Sequence, residues 1–322
     1  MTITILIFKN SEYIMKKNKL EIDYLEVVVD VNHKPEEVAS CYQIISDGKY
    51  NFDESKIKYR SKKILSEFDS IITLQSFSLL NDYNSKLKIS GNFYKWLNGH
   101  NVTGCENLID LVLQTIEKLK NLNLVDPTKE QLETIRLGNF RLYRVDVKRD
   151  IVFDSKQNAI QYLSTLRNLS TYPKQKKTIF ENGIYFGFTS KRWSICNYHK
   201  GQEVRDNYKR SKTSLELQAL ADLMIRQEIR IQSKQLATWD LRFGHQWHDL
   251  NNIENFFKNI LDKIYIPEIT LKDSKNNICD KSDRKFYNCV INGDHKEVYS
   301  RSTISRKKRI FLDKYNIDIN NL

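Results

Sequence analysis

Met224–Gln232 reads MIRQEIRIQ. In an extended chain, successive side chains point to opposite faces. Ile225, Ile229 and Ile231 then fall on one side and Arg226, Glu228 and Arg230 on the other. The stretch therefore predicts a strand with one apolar and one charged face. Two further stretches repeat the pattern. In Arg141–Phe153, RLYRVDVKRDIVF, Val145 and Val147 go to the core while Arg144, Asp146 and Lys148 share the opposite face. In Trp193–Lys200, WSICNYHK, Tyr198 and Lys200 share a face with Ser194 and Cys196, and Trp193 and Ile195 take the other. A solvated face of an antiparallel sheet accounts for alternation by itself. It does not account for acidic, basic and tyrosyl groups brought to one face from three parts of the chain. The fold class expected is α+β, a central antiparallel sheet with helices packed on one face.

The elements around these strands follow from periodicity and punctuation. Thr2–Phe8 and Tyr24–Val31 read as strands, and Ser70–Leu74 and Leu87–Ile89 as shorter ones. Leu108, Leu111, Val112, Ile116 and Leu119 recur at helical spacing and predict an amphipathic helix. Asp126-Pro127 is expected to open another, with aspartate as cap. Ser155 is expected to cap a helix carrying Ile160, Leu163 and Leu166 on one face. Gly183–Phe188 and Trp193–His199 flank the short polar segment Thr189–Arg192 and predict a hairpin, which Gly201 would end after Lys200. A helix is expected around Thr213–Asp222. Beyond about residue 250 the sequence turns polar and basic, and a division into residues 1–245 and 246–322 is expected, the second part small and mainly helical.

The chain has 322 residues, with 52 Lys+Arg against 40 Asp+Glu, for a formal charge of +12. An excess of that size implies a polyanionic partner, because lysine or arginine docked on phosphate releases condensed counterions. Nucleic acid comes first and a membrane surface second. Five cysteines at 41, 105, 196, 279 and 289 have no paired short spacing. That argues against a disulfide framework or zinc finger and favours a reducing cytoplasm. MTITILIF is too short an apolar run for a signal peptide. No stretch approaches the roughly 20 apolar residues needed to span a bilayer. The expectation is a cytoplasmic protein with no membrane and no small-molecule cofactor.

If the polyanion is DNA, the charged face can be a site. A tyrosine attacks phosphorus only with help, since its ordinary pKa is about 10. A nearby lysine favours the phenolate and stabilises charge on the phosphoryl oxygens. Asp146 and Glu228 offer hard oxygens suited to Mg²⁺ or Mn²⁺. Tyr198 and Lys200 are thus the candidate catalytic pair. Arg144, Lys148, Arg192, Arg226 and Arg230 are candidate DNA contacts.

Four stretches, in order, resemble the replication proteins of filamentous phages, the gene II endonuclease family, and related rolling-circle initiators. They are LKISGNFYKWLNGHNVTGCENL with its Gly99-His100-Asn101-Val102 core, YRVDVKRDIVF followed by NAIQYLSTLRNLS, GIYFGFTSKRWSICNYHKGQEV, and LMIRQEIRI. Together they run from about Leu87 to Leu241. The resemblance implies an HUH-related nicking domain that opens one strand of double-stranded origin DNA. It implies a tyrosyl-DNA intermediate, a 3′-hydroxyl left for the host replication machinery, and later closure of the displaced single strand. It makes Tyr198 the nucleophile, Lys200 its electrostatic partner, and Asp146 and Glu228 metal ligands with Glu203 a third. No His-x-His occurs in the chain, a departure from the HUH pattern. His100 is either a further ligand or the histidine of a tight turn.

Other residues are less decisive. His199 alternates away from Tyr198 unless a bulge returns it. Tyr208 is a second nucleophile or a stacking tyrosine in a basic loop. His245 and His248 read as packing or DNA-contacting residues, and Cys196 as a packing residue. In SRSTISRKKRIF, Ser302-Thr303 is expected to cap a helix presenting Arg306, Lys307 and Lys308 to phosphates, as in winged-helix-like tails, or else a solvated charged helix. The leading reading is a nicking-closing initiator and its rival a non-cleaving origin-binding initiator or repressor; a relaxase for conjugative transfer shares the chemistry but usually carries a clear histidine cluster. Tyr198, Asp146 and Glu228 on one face separate the first two, since a binder needs only the arginines.

Overall fold

Strand β10 (Met224–Gln232) pairs antiparallel with β6 (Arg141–Val152) on one side and with β9 (Trp193–His199) on the other. The three alternating stretches are therefore neighbours at the centre of one sheet. The computed structural model describes residues 19–44, 57–77, 86–207, 213–248, 250–266, 278, 280–292, 295–315 and 319. The strand expected at Thr2–Phe8, Tyr208 and Cys279 lie outside the described residues.

The sheet has ten strands among the described residues. Besides those three they are β1 (Glu21–Asp30), β2 (Ala39–Ile44), β3 (Ile57–Leu65), β4 (Ile71–Ser76), β5 (Lys86–Gly91), β7 (Lys177–Phe180) and β8 (Gly183–Phe186), in the order β2-β3-β4-β5-β1-β6-β10-β9-β8-β7. Each pairing is antiparallel. β8 and β9 form the expected hairpin.

Period-2 alternation assigns the two faces. On one, Leu25, Val27, Ile89, Val145, Val147, Ile229, Ile231 and Ile195 are buried in a single apolar cluster. Helices α2 (Leu108–Asn121) and α4 (Lys156–Leu169) contribute to it through residues such as Leu111, Ile116 and Leu166. Ser155 caps α4 as expected, its side chain accepting from Asn158 N at 3.1 Å. The helix expected from Asp126 instead begins at Lys129: α3 (Lys129–Arg136) is capped by Thr128, which exchanges hydrogen bonds with Gln131. Thr128 wins because it stands three residues before Gln131, the spacing a reciprocal cap requires.

The apolar contacts group the C-terminal residues differently from the division expected at 245/246. Helix Leu250–Leu261 buries Ile253, Phe257, Ile260 and Leu261 in the main cluster, and Tyr172 donates to the Ile260 carbonyl at 3.1 Å. A separate cluster gathers Ile278, Phe286, Tyr287, Val290, Phe311 and Ile319. Its elements among the described residues are helical, at Lys281–Asn292, His295–Val298 and Arg301–Tyr315. Ser300, rather than Ser302-Thr303, caps the last of these: its Oγ accepts from Thr303 N at 3.3 Å and its carbonyl from Ile304 N at 2.9 Å.

Candidate active site

Register places the charged face in rows across the central strands. Tyr198 stands opposite Arg226, which stands opposite Asp150. Cys196, Glu228 and Lys148 form the next row, and Ser194, Arg230, Asp146 and Tyr24 the one after. A cleft of about 520 Å³ opens on this face, lined in part by Asp23, Asp146, Tyr198, Glu203, Glu228 and Arg230.

Tyr198 donates its hydroxyl to Glu228 Oε1. Burial, then the Glu228 carboxylate, push the phenol well above its ordinary pKa, while Arg226 pulls it down. Glu228 Oε2 accepts from Arg230 Nη2 at 2.9 Å. The tyrosine is thus protonated at rest, and its proton already points at a carboxylate oxygen. Attack on phosphorus would need that proton to leave as the new bond forms, and Glu228 stands ready to take it.

Lys200 departs from the expectation. Strand β9 stops at His199, and Lys200 opens helix α5 (Lys200–Asp206) instead of continuing the strand to Gly201. Its side chain is fully buried and donates to Asn101 Oδ1 at 2.8 Å and to Glu203 Oε2 at 2.5 Å. Burial, then the nearby Arg226 charge, lower its pKa to about 8. Arg226 is the cation opposite the phenol in the ladder. His199, whose role the alternation left undecided, caps α5: Nδ1 accepts from Gln202 N at 3.0 Å and Nε2 donates to the Asp222 carbonyl at 2.9 Å. It holds the turn that follows the tyrosine.

The Gly-His-Asn-Val segment lies across the Arg226 end of the face. Gly99 ends helix α1 (Phe93–Asn98) at φ +81°, a left-handed conformation that glycine adopts without Cβ strain. The Asn101 carbonyl accepts from Arg226 Nη1 at 2.6 Å and Lys148 Nζ at 3.1 Å. Arg226 Nη2 also reaches the Val102 carbonyl at 2.8 Å, and Lys148 Nζ the Thr103 carbonyl at 3.0 Å. Arg226 makes a two-pronged pair with Asp150, both contacts at 2.7 Å. Arg226 and Lys148, expected on DNA, are 0 % and 1 % exposed. Their charges are taken up by buried carboxylates and by this segment, so neither faces a phosphate. Val102 packs with Val204, Ala221 and Met224, so α5 and α6 (Leu215–Asp222) close this end of the face.

The four expected metal ligands do not converge: among the described residues no three His, Cys, Asp or Glu side chains form a metal-holding group. Glu203 is paired with Lys200. His100 packs edge-on against Tyr94 at 5.7 Å, its Nδ1 buried without a partner among the described residues. Burial, then Lys148 and Lys200, keep its pKa low, so it sits among cations and apart from the carboxylate pair. Asp146 and Glu228 do lie together. Asp146 holds Arg144 at 2.8 and 2.6 Å, yet burial, helped by the Glu228 charge, raises its pKa to about 6. Two buried, mutually repelling carboxylates facing a cleft fit a small hard cation, which commonly takes one or two carboxylates with waters and phosphate oxygens.

Of the remaining expected DNA contacts, Arg144 and Arg230 line the cleft and Arg192 is exposed, touching Thr238 Oγ1 at 3.3 Å. Arg306 is exposed on the last helix. Lys307 is not: it is 8 % exposed and paired with Asp283 at 2.5 Å, pointing into its own helical cluster, while Lys308 beside it is partly exposed. His245 and His248 sit at a 3-10 turn, Gly244–Trp247, where the His245 ring stacks on Phe243.

Two site residues escaped the alternation argument. Asp23 accepts from Asn92 Nδ2 at 3.1 Å and Asn101 Nδ2 at 3.2 Å. Against the effect of burial, Arg226, Lys148 and Lys200 hold its carboxyl below the usual range. It falls at an irregularity in the β1–β6 register between Ile22 and Tyr24, which breaks the period that would have revealed it. Asn101 is the hub between Asp23, Lys200, Lys148 and Arg226. The Gly-His-Asn motif was the available signal, but it drew attention to the histidine.

Residues 21–250 match a family model that describes the N-terminal part of the phage replication-associated protein, the gene II protein. That span runs from the first residue of β1 to the first residue of the helix Leu250–Leu261. The replication-associated gene II protein of Enterobacteria phage I2-2 is 24 % identical over 308 residues, covering 92 % of this chain and 87 % of that protein. A solved structure of a rolling circle replication initiator protein from Geobacillus stearothermophilus is similar at 13 % identity, over 82 % of this chain and 89 % of that one, with a TM-score of 0.33. With the matched span taking in every strand of the sheet and the cleft built on it, the chain belongs to the family of phage gene II replication-associated proteins.

Proposed function

We propose that the protein initiates rolling-circle replication as a site-specific nicking-closing endonuclease acting on origin DNA. The observation that carries the reading is the hydrogen bond from the Tyr198 hydroxyl to Glu228, inside a cleft that also holds Arg144 and Arg230. In the forward step Tyr198 Oη bonds to phosphorus and its proton passes to Glu228. The bond from phosphorus to the 3′-oxygen breaks, and that oxygen takes up a proton and leaves as a 3′-hydroxyl primer. The 5′-phosphate remains on Tyr198 as a diester. Closure reverses each bond, with Glu228 returning the proton to the tyrosine. Arg144 and Arg230 are placed to meet phosphoryl oxygens as charge develops on them. Lys200, pinned between Asn101 and Glu203, fixes the wall beside the nucleophile.

Asp146 and Glu228 are the residues that would hold Mg²⁺ or Mn²⁺, whose charge would polarise the scissile phosphate. Glu228 would then share its carboxylate between cation and tyrosine. The sheet is read as HUH-related without paired histidines. The helical cluster around Phe286 and Phe311 is read as an accessory DNA-binding unit, winged-helix-like in role, with Arg306 and Lys308 toward phosphates. The 3′-hydroxyl would be extended by host replication machinery in the bacterial cytoplasm. No helix among the described residues is long and apolar enough to cross a membrane.

The test is incubation with supercoiled plasmid bearing the native origin, with Mg²⁺ or with EDTA. Expected are relaxed circles and a covalent DNA adduct, both lost in Tyr198→Phe. Origin binding with no adduct under any metal condition would establish a non-cleaving initiator or repressor instead.

A further inference from the structure

Three aromatic rings line the cleft beside its charged centre. Phe180 ends β7, the outermost strand, and Tyr185 and Phe188 come from β8 and the turn after it. Each ring meets the other two edge-on, with centroids 5.0–5.2 Å apart. Phe180 and Phe188 are 40 % and 50 % exposed. A packed core would bury such rings, and here they line the same cleft as Tyr198. The Arg230 guanidinium lies 5.1 Å from the centre of the Tyr185 ring, so the aromatic rim adjoins the cations of the site.

Register aligns this rim with the nucleophile. Phe180 pairs with Gly183, and Gly183 pairs with Tyr198. Gly183 thus separates the two rings in one row, and a Cβ there would come within 2.9 Å of Tyr198 Cβ. Its backbone is not in the left-handed region that would by itself favour glycine. Close approach of the β9 backbone, whose Asn197 carbonyl oxygen would lie 2.4 Å from such a Cβ, is the reason for a residue without a side chain, and no side chain then stands between Phe180 and Tyr198 in the row.

Charge identifies the occupant. Lys174 and Lys176 precede Phe180 on the chain, Lys191 and Arg192 follow Phe188 in the hairpin turn, and all four are exposed. Glu181, in the turn between β7 and β8, is the opposing exposed charge. Flat apolar rings bordered by cations suit a flat apolar ring on an anionic backbone, the chemistry of an unpaired nucleotide. Paired bases keep their faces stacked inside the duplex and have none to offer.

We propose that Phe180, Tyr185 and Phe188 form a stacking platform for the base of an unpaired DNA nucleotide, next to the phosphate presented to Tyr198. The proposal rests on the nicking reading for its position along the strand, and on the rings alone for stacking. The platform would select melted or extruded origin DNA over duplex.

The probe is a single-stranded oligodeoxynucleotide with 2-aminopurine at successive positions, compared with the same sequence as a duplex, on the full chain. Expected is quenching of 2-aminopurine at one or two adjacent positions. Phe180→Leu/Phe188→Leu, which keeps apolar bulk but removes two rings, should abolish that quench. It should weaken single-strand binding about 10-fold, equivalent to about 1.4 kcal/mol, and leave duplex binding within twofold. Phe180→Trp should restore affinity and show its own fluorescence quenched by the oligonucleotide. The quench should persist in Tyr198→Phe, so loss of the covalent adduct and loss of stacking are read separately. The proposal is overturned if the double leucine variant binds and quenches as the wild type does, or if duplex affinity falls equally. It is also overturned if the variant only changes self-association, seen by light scattering, with single-strand affinity intact.

Discussion

Burial is the largest pressure against ionisation of Tyr198, followed by the adjoining Glu228 carboxylate and then by Glu203 and Asp23. If Tyr198 is the nucleophile, as proposed, its proton must move during attack, which makes Glu228 testable apart from DNA binding. Glu228→Gln retains an oxygen that can accept from the tyrosine but cannot take up a proton. Nicking rate should fall roughly 10²–10⁴-fold, the range for a lost general base, with origin affinity changed less than threefold. Normal nicking by this variant would remove Glu228 from the mechanism. Lys200 makes a prediction about stability. Its pKa is about 8 in the folded chain against an ordinary 10.5. Between those values the unfolded chain binds the extra proton, so this group's contribution to stability rises with pH from about 8 to 10.5 and is flat below 8. The full change is on the order of 3 kcal/mol for a shift of this size in a fully buried group. Denaturant unfolding at pH 7.5 and 10 should therefore show wild type gaining on Lys200→Met; a constant difference would mean the lysine is not depressed.

At the level of elements, the segment from Gly99 to Thr103 behaves as a strap fastened by three buried cations, Arg226 and Lys148 on its carbonyls and Lys200 on the Asn101 side chain. Removing Arg226 strands the Asp150 carboxylate and the Val102 carbonyl and leaves the Asn101 carbonyl to Lys148. Breaking one side of a buried ion pair costs about 3–5 kcal/mol, and Arg226→Met should lose about that much in chemical denaturation. Protease cleavage within Gly99–Thr103 should rise in the same variant, whereas an exposed DNA-contact arginine would move neither reading. The strap also marks the limit of what alternation makes legible. Period-2 pattern in β6, β9 and β10 assigned Tyr198, Asp146, Glu228 and Arg230 to one face correctly, because that depends on neighbouring residues only. It could not say that half of the face is covered, since the cover comes from a segment some 125 residues earlier in the chain. So Arg226 read as a surface cation and proves to be an internal fastener. Asp23 was hidden for a related reason, a register irregularity at its position. The strand order, with β1 inserted between β5 and β6, likewise depends on long-range pairing that no local pattern encodes.

For the whole molecule, a net charge of +12 becomes a statement about DNA only through the cations left exposed. Each lysine or arginine docked on a duplex phosphate adds about 0.9 to the slope of log affinity against log salt. The last helix separates such cations from structural ones within two adjacent residues. Arg306 faces solvent, whereas Lys307 donates to Asp283 at 2.5 Å and to Ser282 at 2.9 Å, with Tyr315 donating to the other Asp283 oxygen at 2.8 Å. If the C-terminal cluster grips DNA, Arg306→Ala should lower the salt slope by about one and leave the unfolding midpoint in place. Lys307→Ala should do something different in kind. Asp283, 4 % exposed, loses its nearer cation and keeps only Lys314 at 3.9 Å, and the Phe286–Phe311 cluster loses the closest pair that joins its first and last helices. The expected result is an earlier unfolding transition and weaker binding whose salt slope at low temperature, where the cluster stays folded, is unchanged. Equal slopes for wild type and Arg306→Ala would remove this helix from the DNA interface and leave the cleft arginines and the hairpin turn to supply the charge.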